Sequence, residues 1–148
     1  ELYAGYDFAL SRGQNIGNSI GLKPDEIVDY KLPTGIVYDK ILLEGPWLSN
    51  KDNLQAQGES SIVLSFTAAS VNIVADSINE PAELDVFIGN EYISEDVAGE
   101  DVQFKDGKAF VLVDEPGLYN IFNGKYGSYQ LKLKTNSEDF YFNAFTFG

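Results

Sequence analysis

From residue 36 onward the chain is a series of short apolar runs separated by turn residues, and this pattern constrains the fold more than any other feature. The run Ser60–Thr67 shows it most clearly, because Ile62, Leu64 and Phe66 alternate with residues that belong to the opposite face. Such alternation predicts strands with one buried side. The spacing of the runs predicts about nine or ten strands, as in all-β domains.

The remaining predicted strands follow the same rule. They are Val37–Leu43, Ser70–Ala75, Glu83–Ile88, Val102–Phe104, Ala109–Val113, Leu118–Phe122, Ser128–Lys134 and Phe140–Phe147. Asp106-Gly107 predicts a tight hairpin turn, since glycine accepts positive φ. In the last run, side chains should alternate between the two sides of the strand. This predicts Tyr141, Phe145 and Phe147 on one side and Phe140 and Phe142 on the other. Both sides of that strand are therefore expected to be covered.

No stretch alternates strands with helices, and no window of about ten residues keeps helical spacing, so an α/β fold is improbable. The predicted fold class is all-β, a two-sheet antiparallel β-sandwich of jelly-roll type. Residues 1–35 are rich in Gly, Pro, Asn and Asp, which predicts an irregular arm laid across the jelly roll of residues 36–148. We expect one domain, excised from a larger multidomain protein.

The composition excludes several kinds of function. The chain has no cysteine and no histidine, so disulfides, zinc ribbons and thiol chemistry cannot arise within it. The net charge of −13, with 10 basic residues scattered singly, argues against nucleic-acid binding. No apolar run reaches the length of a membrane span, so direct membrane insertion is not expected. We predict a domain that is not an enzyme.

Four motifs resemble one family along nearly the whole chain. They are Glu1–Tyr6 (ELYAGY), Leu43–Trp47 (LEGPW), Glu115–Tyr119 (EPGLY) and the closing Ala144–Gly148 (AFTFG), which is the most specific. Together they resemble the C-terminal, carbohydrate-binding-module-like domain of DipZ-type thioredoxin-like proteins, a group that includes redoxin and cytochrome c biogenesis proteins. The resemblance implies a noncatalytic β-sandwich that follows an extracytoplasmic thioredoxin module.

Two positions depart from the family pattern. Ala4 stands where members tend to carry a larger apolar residue, and Gly117 stands where they often have an arginine. If that arginine binds a ligand in the family, this chain lacks the contact. The Cys-x-x-Cys of the redox module is also absent, so thiol chemistry could only belong to an upstream module.

Sugar recognition by a β-sandwich requires flat aromatic rings with amides or carboxylates nearby. The candidates are Trp47, after a Gly-Pro break, and Tyr126, in a glycine-flanked loop, with Tyr119 and Asn120 on the preceding strand. Each aromatic also has a structural interpretation: Trp47 as a plug of the core and Tyr126 as a lid over the end of the sandwich. The partner predicted from these residues is a glycan or cell-envelope polysaccharide.

Two groups of acidic residues suggest an enzymatic or metal-binding alternative, although solvated surface charge is the simpler interpretation. They are Asp25, Glu26 and Asp29, and Glu95, Asp96, Glu100 and Asp101. A glycosidase would need two of them opposed across a cleft. Calcium could also bind their oxygens, but the Asp-x-Asp-x-Asp-Gly loop is missing. No cofactor is expected.

Three hypotheses follow for the function. The first is a glycan-binding accessory domain; the second is a structural or docking domain that packs on the adjacent thioredoxin-like domain; the third is a hydrolase with two acids. Trp47 and Tyr126 on one open surface would favour the first, and an apolar patch near residue 1 would favour the second.

Overall fold

The structure, a computed structural model, describes residues 1–148 and contains eleven strands and one helix. The elements are β1 (Leu2–Tyr3), α1 (Tyr6–Ser11), β2 (Ile27–Tyr30), β3 (Leu42–Ser49), β4 (Leu54–Ala56), β5 (Ser60–Ser77), β6 (Ala82–Ile88), β7 (Glu91–Tyr92), β8 (Gln103–Lys105), β9 (Lys108–Val113), β10 (Gly117–Thr135) and β11 (Phe140–Phe147). The predicted all-β class is confirmed, since the only helix has six residues. No helix is long and apolar enough to span a membrane.

Two long strands connect the layers of the sandwich. The start of β5 pairs antiparallel with the end of β10, while the second half of β5 pairs with the start of β10 and with β11. The register of β5 with β10 shifts between Asn123 and Gly127. Strands that pass from one sheet to the other in this way make the corners of a sandwich. All the strands consequently belong to one hydrogen-bonded network, in which β5 and β10 contribute to both layers.

The first layer contains the pairings β3–β5–β10–β6–β9–β8, and β7 adds to β6. The second layer is built around β11, which pairs with β5, β4 and β1. The hairpin predicted at Asp106-Gly107 is confirmed between β8 and β9, and both turn residues have positive φ, 53° and 78°. This left-handed pair is the backbone of the tightest hairpin turns.

The eleven strands exceed the predicted nine or ten because the structure adds short strands to the predicted set. Short strands form at Leu2–Tyr3, Ile27–Tyr30 and Glu91–Tyr92, where the sequence shows no alternation long enough to detect. In the opposite direction, the two predicted strands within residues 60–75 form one 18-residue strand. Of the predicted strand Val37–Leu43, only Leu42 and Leu43 lie in a strand of the structure, because β3 begins at Leu42.

The core is one cluster of 32 buried residues. It draws Phe66 and Phe122 from the two long strands, whose rings meet edge to face at 5.3 Å. The N-terminal segment adds Ala9, Ile16 and Leu22 to the same cluster. That segment is irregular apart from β1, α1 and β2, and its apolar side chains hold it against the sandwich.

Candidate functional site

Strand β6 has one buried and one open side. Leu84 and Val86 point into the core and are at most 1% exposed, so Glu83, Asp85 and Phe87 point outward from the first layer. An outward series of two carboxylates and an aromatic ring is unusual for a side that is merely solvated. The strands on either side of β6 determine what surrounds it.

The pairing register places lysines and further aromatic rings beside these three residues. Lys134 and Lys132 of β10 lie opposite Asp85 and Phe87. On the other edge of β6, Phe110 lies opposite Asp85 and Tyr92 lies opposite Phe87. Side chains directly opposite each other on antiparallel strands share one side of the sheet. We call this surface the β6 face; it consists of Glu83, Asp85, Phe87, Tyr92, Lys108, Phe110, Lys132 and Lys134.

Two aromatic rings of the β6 face form a stack. The ring centroids of Phe87 and Tyr92 are 4.5 Å apart, with an angle of 26° between the planes. Both side chains are half-buried, so part of each ring remains open to solvent. A stacked pair fixes the orientation of both rings and gives the surface a rigid apolar platform.

The lysines of the β6 face are each paired with a carboxylate. Lys108 Nζ lies 3.6 Å from Glu83 Oε2, and Lys132 Nζ lies 3.3 Å from Glu44 Oε1. Lys134 Nζ donates to Glu59 Oε1 at 2.7 Å. These pairs are partly exposed, so each adds little to stability. The pairs of Lys108 and Lys134 lie beside Asp85, since both lysines line the same cavity as its carboxylate.

Asp85 differs from the other acids because one of its oxygens is buried without a hydrogen bond. Lys108 Nζ lies 3.8 Å from that oxygen, Oδ1, close enough for charge attraction but too far for a hydrogen bond. Burial raises the pKa of Asp85, and the charge of Lys108 opposes that rise. Conversely, Asp85 and Glu83 raise the pKa of Lys108. The Asp85 carboxylate is thus partly shielded from solvent and lies beside the ammonium group of Lys108.

Three cavities adjoin one another on this side of the sandwich. A cavity of about 270 Å³ is lined by Asp85, Lys108, Lys134 and the segment Thr135, Asn136 and Ser137, along with Glu83. An open depression of about 520 Å³ continues past Lys108 to Tyr92 and Phe104. A third, of about 200 Å³, lies between Phe87, Asn90 and the two lysines of β10. The first cavity shares Lys108 with the second and Lys134 with the third, and the three linings include aromatic rings, amides, carboxylates and ammonium groups.

Trp47 is placed in the core, which corrects its prediction as a ligand-binding residue. Its side chain is 1% exposed, its ring packs edge to face on Phe140, and its Nε1 donates to the carbonyl of Glu44 at 3.1 Å. A buried ring whose only donor is already satisfied has no surface to offer a sugar. The alternative interpretation, a plug of the core, describes its position.

Tyr119 and Asn120 are used within the fold. Tyr119 is 9% exposed, and its hydroxyl donates to the carbonyl of Glu115 at 2.7 Å, so its ring is also not available for stacking. The Asn120 side chain accepts from the amide of Glu100 at 2.8 Å and donates to Asn72 Oδ1 at 2.8 Å. Both side chains fix neighbouring segments to β10. The burial of Tyr119 corrects its prediction as a ligand-binding residue, whereas Asn120 is half-buried and its ligand-binding role stays a prediction.

Tyr126 is the one exposed member of the predicted set. It lies where the register of β10 with β5 shifts, and 77% of its surface is exposed. It does not share a surface with Trp47, so the open aromatic pair that would favour glycan binding does not form at those positions. Its role as a ligand-binding residue stays a prediction.

The two acidic groups lie on loops and turns, apart from Asp29, which belongs to β2. Asp25 accepts a hydrogen bond from the Tyr6 hydroxyl at 3.1 Å. Asp101 Oδ2 accepts from the amide of Asn120 at 2.6 Å, and Asp96 accepts from Ser94. These carboxylates therefore bond locally and help to order their loops. No group of three or more acidic residues comes together in a way that could hold a metal ion.

The β6 face was missed because the sequence predicts which residues of a strand point inward but not which strand lies open. Its signal is present nonetheless: Glu83, Asp85 and Phe87 alternate with the predicted core positions, as do Lys132 and Lys134 on β10. Only the pairing of β6 with β10 and β9 shows that these residues meet on one surface.

The fold and its open β6 face define an antiparallel β-sandwich domain of jelly-roll type. This chain belongs to the thioredoxin-like C-terminal domain family: the family described as "Thioredoxin like C-terminal domain" matches residues 1–148. The resemblance found in the four sequence motifs is therefore confirmed.

Among solved structures, the chain is similar to a family two carbohydrate esterase from Clostridium thermocellum in complex with cellohexaose. The TM-score is 0.47 at 16% identity, over 66% of this chain and 27% of that chain. The match thus involves just over a quarter of the esterase's length. A comparison with curated protein sequences gives no significant match.

Proposed function

We propose that this domain is a noncatalytic glycan-binding accessory module of an extracytoplasmic thioredoxin-like protein, with the β6 face as its binding surface. The observation that supports this most directly is the Phe87–Tyr92 stack, which lies on the outward side of β6 together with the carboxylate of Asp85. The extracytoplasmic location follows from the family resemblance rather than from the surface.

The chemistry of the three cavities fits a sugar. Pyranose rings present C–H surfaces that pack on aromatic rings, and their hydroxyls need both donors and acceptors around the rim. The Phe87–Tyr92 stack provides the platform, and Asp85 provides an acceptor. Asn90 and Asn136 line the adjoining cavities and provide amides.

The proposed module is noncatalytic for two reasons. Glu83 and Asp85 lie two residues apart on one strand and both approach Lys108, rather than facing each other across a cleft as glycosidase acids do. The chain also has no cysteine, so thiol–disulfide chemistry would belong to the adjacent thioredoxin-like module.

The experiment is a panel of soluble and insoluble polysaccharides tested by affinity electrophoresis and pull-down. We expect retention by at least one glycan, and loss of that retention in Phe87→Ala and in Tyr92→Ala. Tyr126→Ala is the matched control, because it removes an exposed aromatic ring outside the β6 face. Absence of retention by every glycan would refute the function, and loss only in Tyr126→Ala would move the site to that loop.

A second candidate, docking on the adjacent thioredoxin-like module, is favoured by an aromatic patch near residue 1. The rings of Tyr3 and Phe8 stack at 5.3 Å, and the Arg12 guanidinium lies 4.8 Å from the Tyr3 ring. Phe8 and Leu10 are each 42% exposed. In the full-length protein, Phe8→Ser with Leu10→Ser should then change thiol–disulfide turnover; unchanged turnover argues against docking.

A further inference from the structure

Two different strands share one edge of β6. β9 pairs with Ala82–Asp85, whereas β7 pairs with Phe87 and Ile88, and β10 occupies the other edge. The β8–β9 hairpin therefore leaves β6 where β7 begins. The open depression of about 520 Å³ lies between these two elements, lined by residues 92–95 on the β7 side and by residues 104–109 on the hairpin side. We call this depression the hairpin cleft.

Each side of the hairpin cleft contributes one aromatic ring. Tyr92 lines the cleft from the β7 side and Phe104 lines it from the hairpin side. Phe104 is 42% exposed, because β8 is the last strand of the first layer and pairs only with β9. The residue opposite Phe104 is Ala109, whose side chain is too short to cover an aromatic ring. The ring of Phe104 is therefore open to a ligand in the cleft.

The Phe87–Tyr92 stack separates the hairpin cleft from the cavity of about 200 Å³. Phe87 lines that cavity but not the cleft, and Tyr92 lines the cleft but not that cavity. Since the two rings stack on each other, each has one side covered by the other ring and one side left for a ligand. A single sugar ring cannot contact both open sides. A sugar ring that packs on Tyr92 must lie in the cleft, where Phe104 is the second aromatic ring.

The size and the polar groups of the hairpin cleft also suit a sugar. Pockets for small ligands commonly have volumes of about 300–1,000 Å³. Of the three cavities on this side, only the cleft reaches that range. Its lining includes the exposed side chains of Lys105 and Glu95, which belong to none of the four ion pairs. An ammonium group donates and a carboxylate accepts, so sugar hydroxyls can find both kinds of partner there.

We propose that one sugar ring of the bound glycan lies in the hairpin cleft between Tyr92 and Phe104, and that Phe104 is a further contact residue of the binding site. This inference rests on the proposed function and extends its site beyond the β6 face. Tyr92 and Phe104 contact the same sugar ring from the two elements that border the cleft, and Lys105 and Glu95 bond to its hydroxyls.

The test measures binding of glucan, mannan and xylan oligosaccharides of increasing length by isothermal titration, and retention by the parent polysaccharides by affinity electrophoresis. Phe104→Ala should weaken binding by about fivefold, the loss expected for one aromatic contact. Phe104→Tyr keeps the flat ring and should bind as the unmodified protein does. Phe147→Ala is the matched control, because Phe147 is a similarly exposed ring, at 39%, on β11 of the second layer. It should leave binding unchanged.

A second measurement separates contact with the sugar from support of the β8–β9 hairpin. In protein with labelled phenylalanine rings, we expect nuclear Overhauser effects between the ring protons of Phe104 and the C–H protons of the bound oligosaccharide. The spectrum of Phe104→Ala identifies the Phe104 signals. Phe147 should show no such effects. A ring that only supports the hairpin would affect affinity without lying against the sugar.

The outcomes distinguish this inference from the function on which it rests. Unchanged binding in Phe104→Ala, together with lost binding in Tyr92→Ala, would overturn the role of Phe104 and leave glycan binding at the β6 face intact. The role of Phe104 would also be overturned by an equal loss in Phe147→Ala, or by a loss in Phe104→Ala without Overhauser effects to the sugar. Absence of binding to every oligosaccharide and polysaccharide would overturn both the inference and the function.

Discussion

Strands β11 and β6 both carry aromatic rings, but β11 buries three of its five rings in the core. Phe140, Phe142 and Phe145 of β11 are all 0% exposed, and only at the end of the strand is Phe147 39% exposed, whereas Phe87 of β6 is half-buried on an open side. The strand richer in aromatics is thus mainly a core strand. The comparison teaches that aromatic content identifies a core as readily as a binding site, and that the position of a strand within its layer decides between them.

The burial of Phe145 together with Phe140 and Phe142 has a local cause in β11. Its register with β5 shifts between Phe142 and Ala144, so Asn143 is an extra residue that opposes no partner. This bulge reverses the alternation partway along the strand and turns Phe145 to the same side as Phe140 and Phe142. In β6 the alternation continues without interruption, and the outward residues stay outward.

Inserting one alanine after Asn143 should have the largest effect on the contrast between the two strands. With one more residue between Phe142 and Ala144, either Phe145 turns away from the side of Phe140 and Phe142 or the bulge has to take up a second extra residue. We expect a loss of at least about 3–5 kcal/mol in the free energy of unfolding, measured by denaturant titration. Inserting one alanine after Thr34, an exposed residue of the N-terminal segment, is the control and should cost much less. Equal losses would mean that the bulge does not set which side Phe145 faces.

The pair Phe142→Ala and Phe87→Ala tests the same contrast with single side chains. Phe142→Ala should destabilise by about 3–5 kcal/mol because it leaves a cavity in the core. Phe87→Ala should cost about 1 kcal/mol, mainly the stacking contact with Tyr92, while it abolishes glycan retention. Chemical unfolding of both variants checks this. A cost for Phe87→Ala as large as that for Phe142→Ala would show that the β6 face belongs to the core.

The pH dependence of stability should come from the β6 face, since the only titratable residue of β11 is Tyr141. The pKa of Asp85 is raised above its ordinary value of 3.8, so its contribution is complete below pH 3.8 and is lost as pH rises through the raised pKa. The pKa of Glu59 is lowered from 4.5 by Lys134, so its contribution is present above pH 4.5 and is lost as pH falls through the lowered pKa.

The two carboxylates should therefore respond to pH in opposite directions. As pH rises through the window above 3.8, Asp85→Asn should gain stability relative to the unmodified protein. As pH rises toward 4.5, Glu59→Gln should lose stability relative to it. Unfolding titrations at a series of pH values measure both differences. If both variants gained stability, or both lost it, as pH rises, the environments assigned to Asp85 and Glu59 would be wrong.

Ser49→Ala should give the smallest effect, in the strands that support β11. Ser49 is 1% exposed and its Oγ has no hydrogen-bond partner, so removing the hydroxyl should leave stability unchanged or raise it by up to about 1 kcal/mol. Ser60→Ala is the matched control: it is equally buried, but its Oγ donates to the carbonyl of Pro46 at 2.8 Å. That variant should lose about 1 kcal/mol. If denaturant unfolding showed Ser49→Ala to be less stable than Ser60→Ala, the assignment of Ser49 Oγ as the hydroxyl without a hydrogen bond would be wrong.

The long strand β5 shows what could and could not be predicted about the fold. The sequence predicts Ile62, Leu64 and Phe66 on the buried side of one strand, Ser60–Thr67, and a separate strand at Ser70–Ala75. The three apolar residues are buried, and so are Val71 and Ile73 of the second run. The two runs are nevertheless one continuous strand, which passes from the first layer to the second. In the sequence, a shift of the buried positions from even to odd numbers looks the same for two strands as for one strand that changes layer.

For the last strand, the predicted sides were wrong at Phe145, because a bulge leaves no mark in composition or spacing. For the candidate site, the prediction of Trp47 and Tyr119 failed because a turn residue next to an aromatic does not indicate whether the ring points inward. The position of Asp85 on the β6 face could not be predicted, since the pairing that places it opposite Lys134 joins strands that are distant in sequence.

The sequence by itself determined the all-β fold, the family and the absence of thiol and imidazole chemistry. These follow from residue types and from a period of two, which are local properties of the chain. Only the tertiary structure decided which aromatic rings are exposed, because exposure depends on what packs over a strand from elsewhere in the chain. Trp47 is covered and Phe87 is not, although both belong to strands with clear signals. The physical reason is that side-chain direction is set within a strand, whereas burial is set between strands.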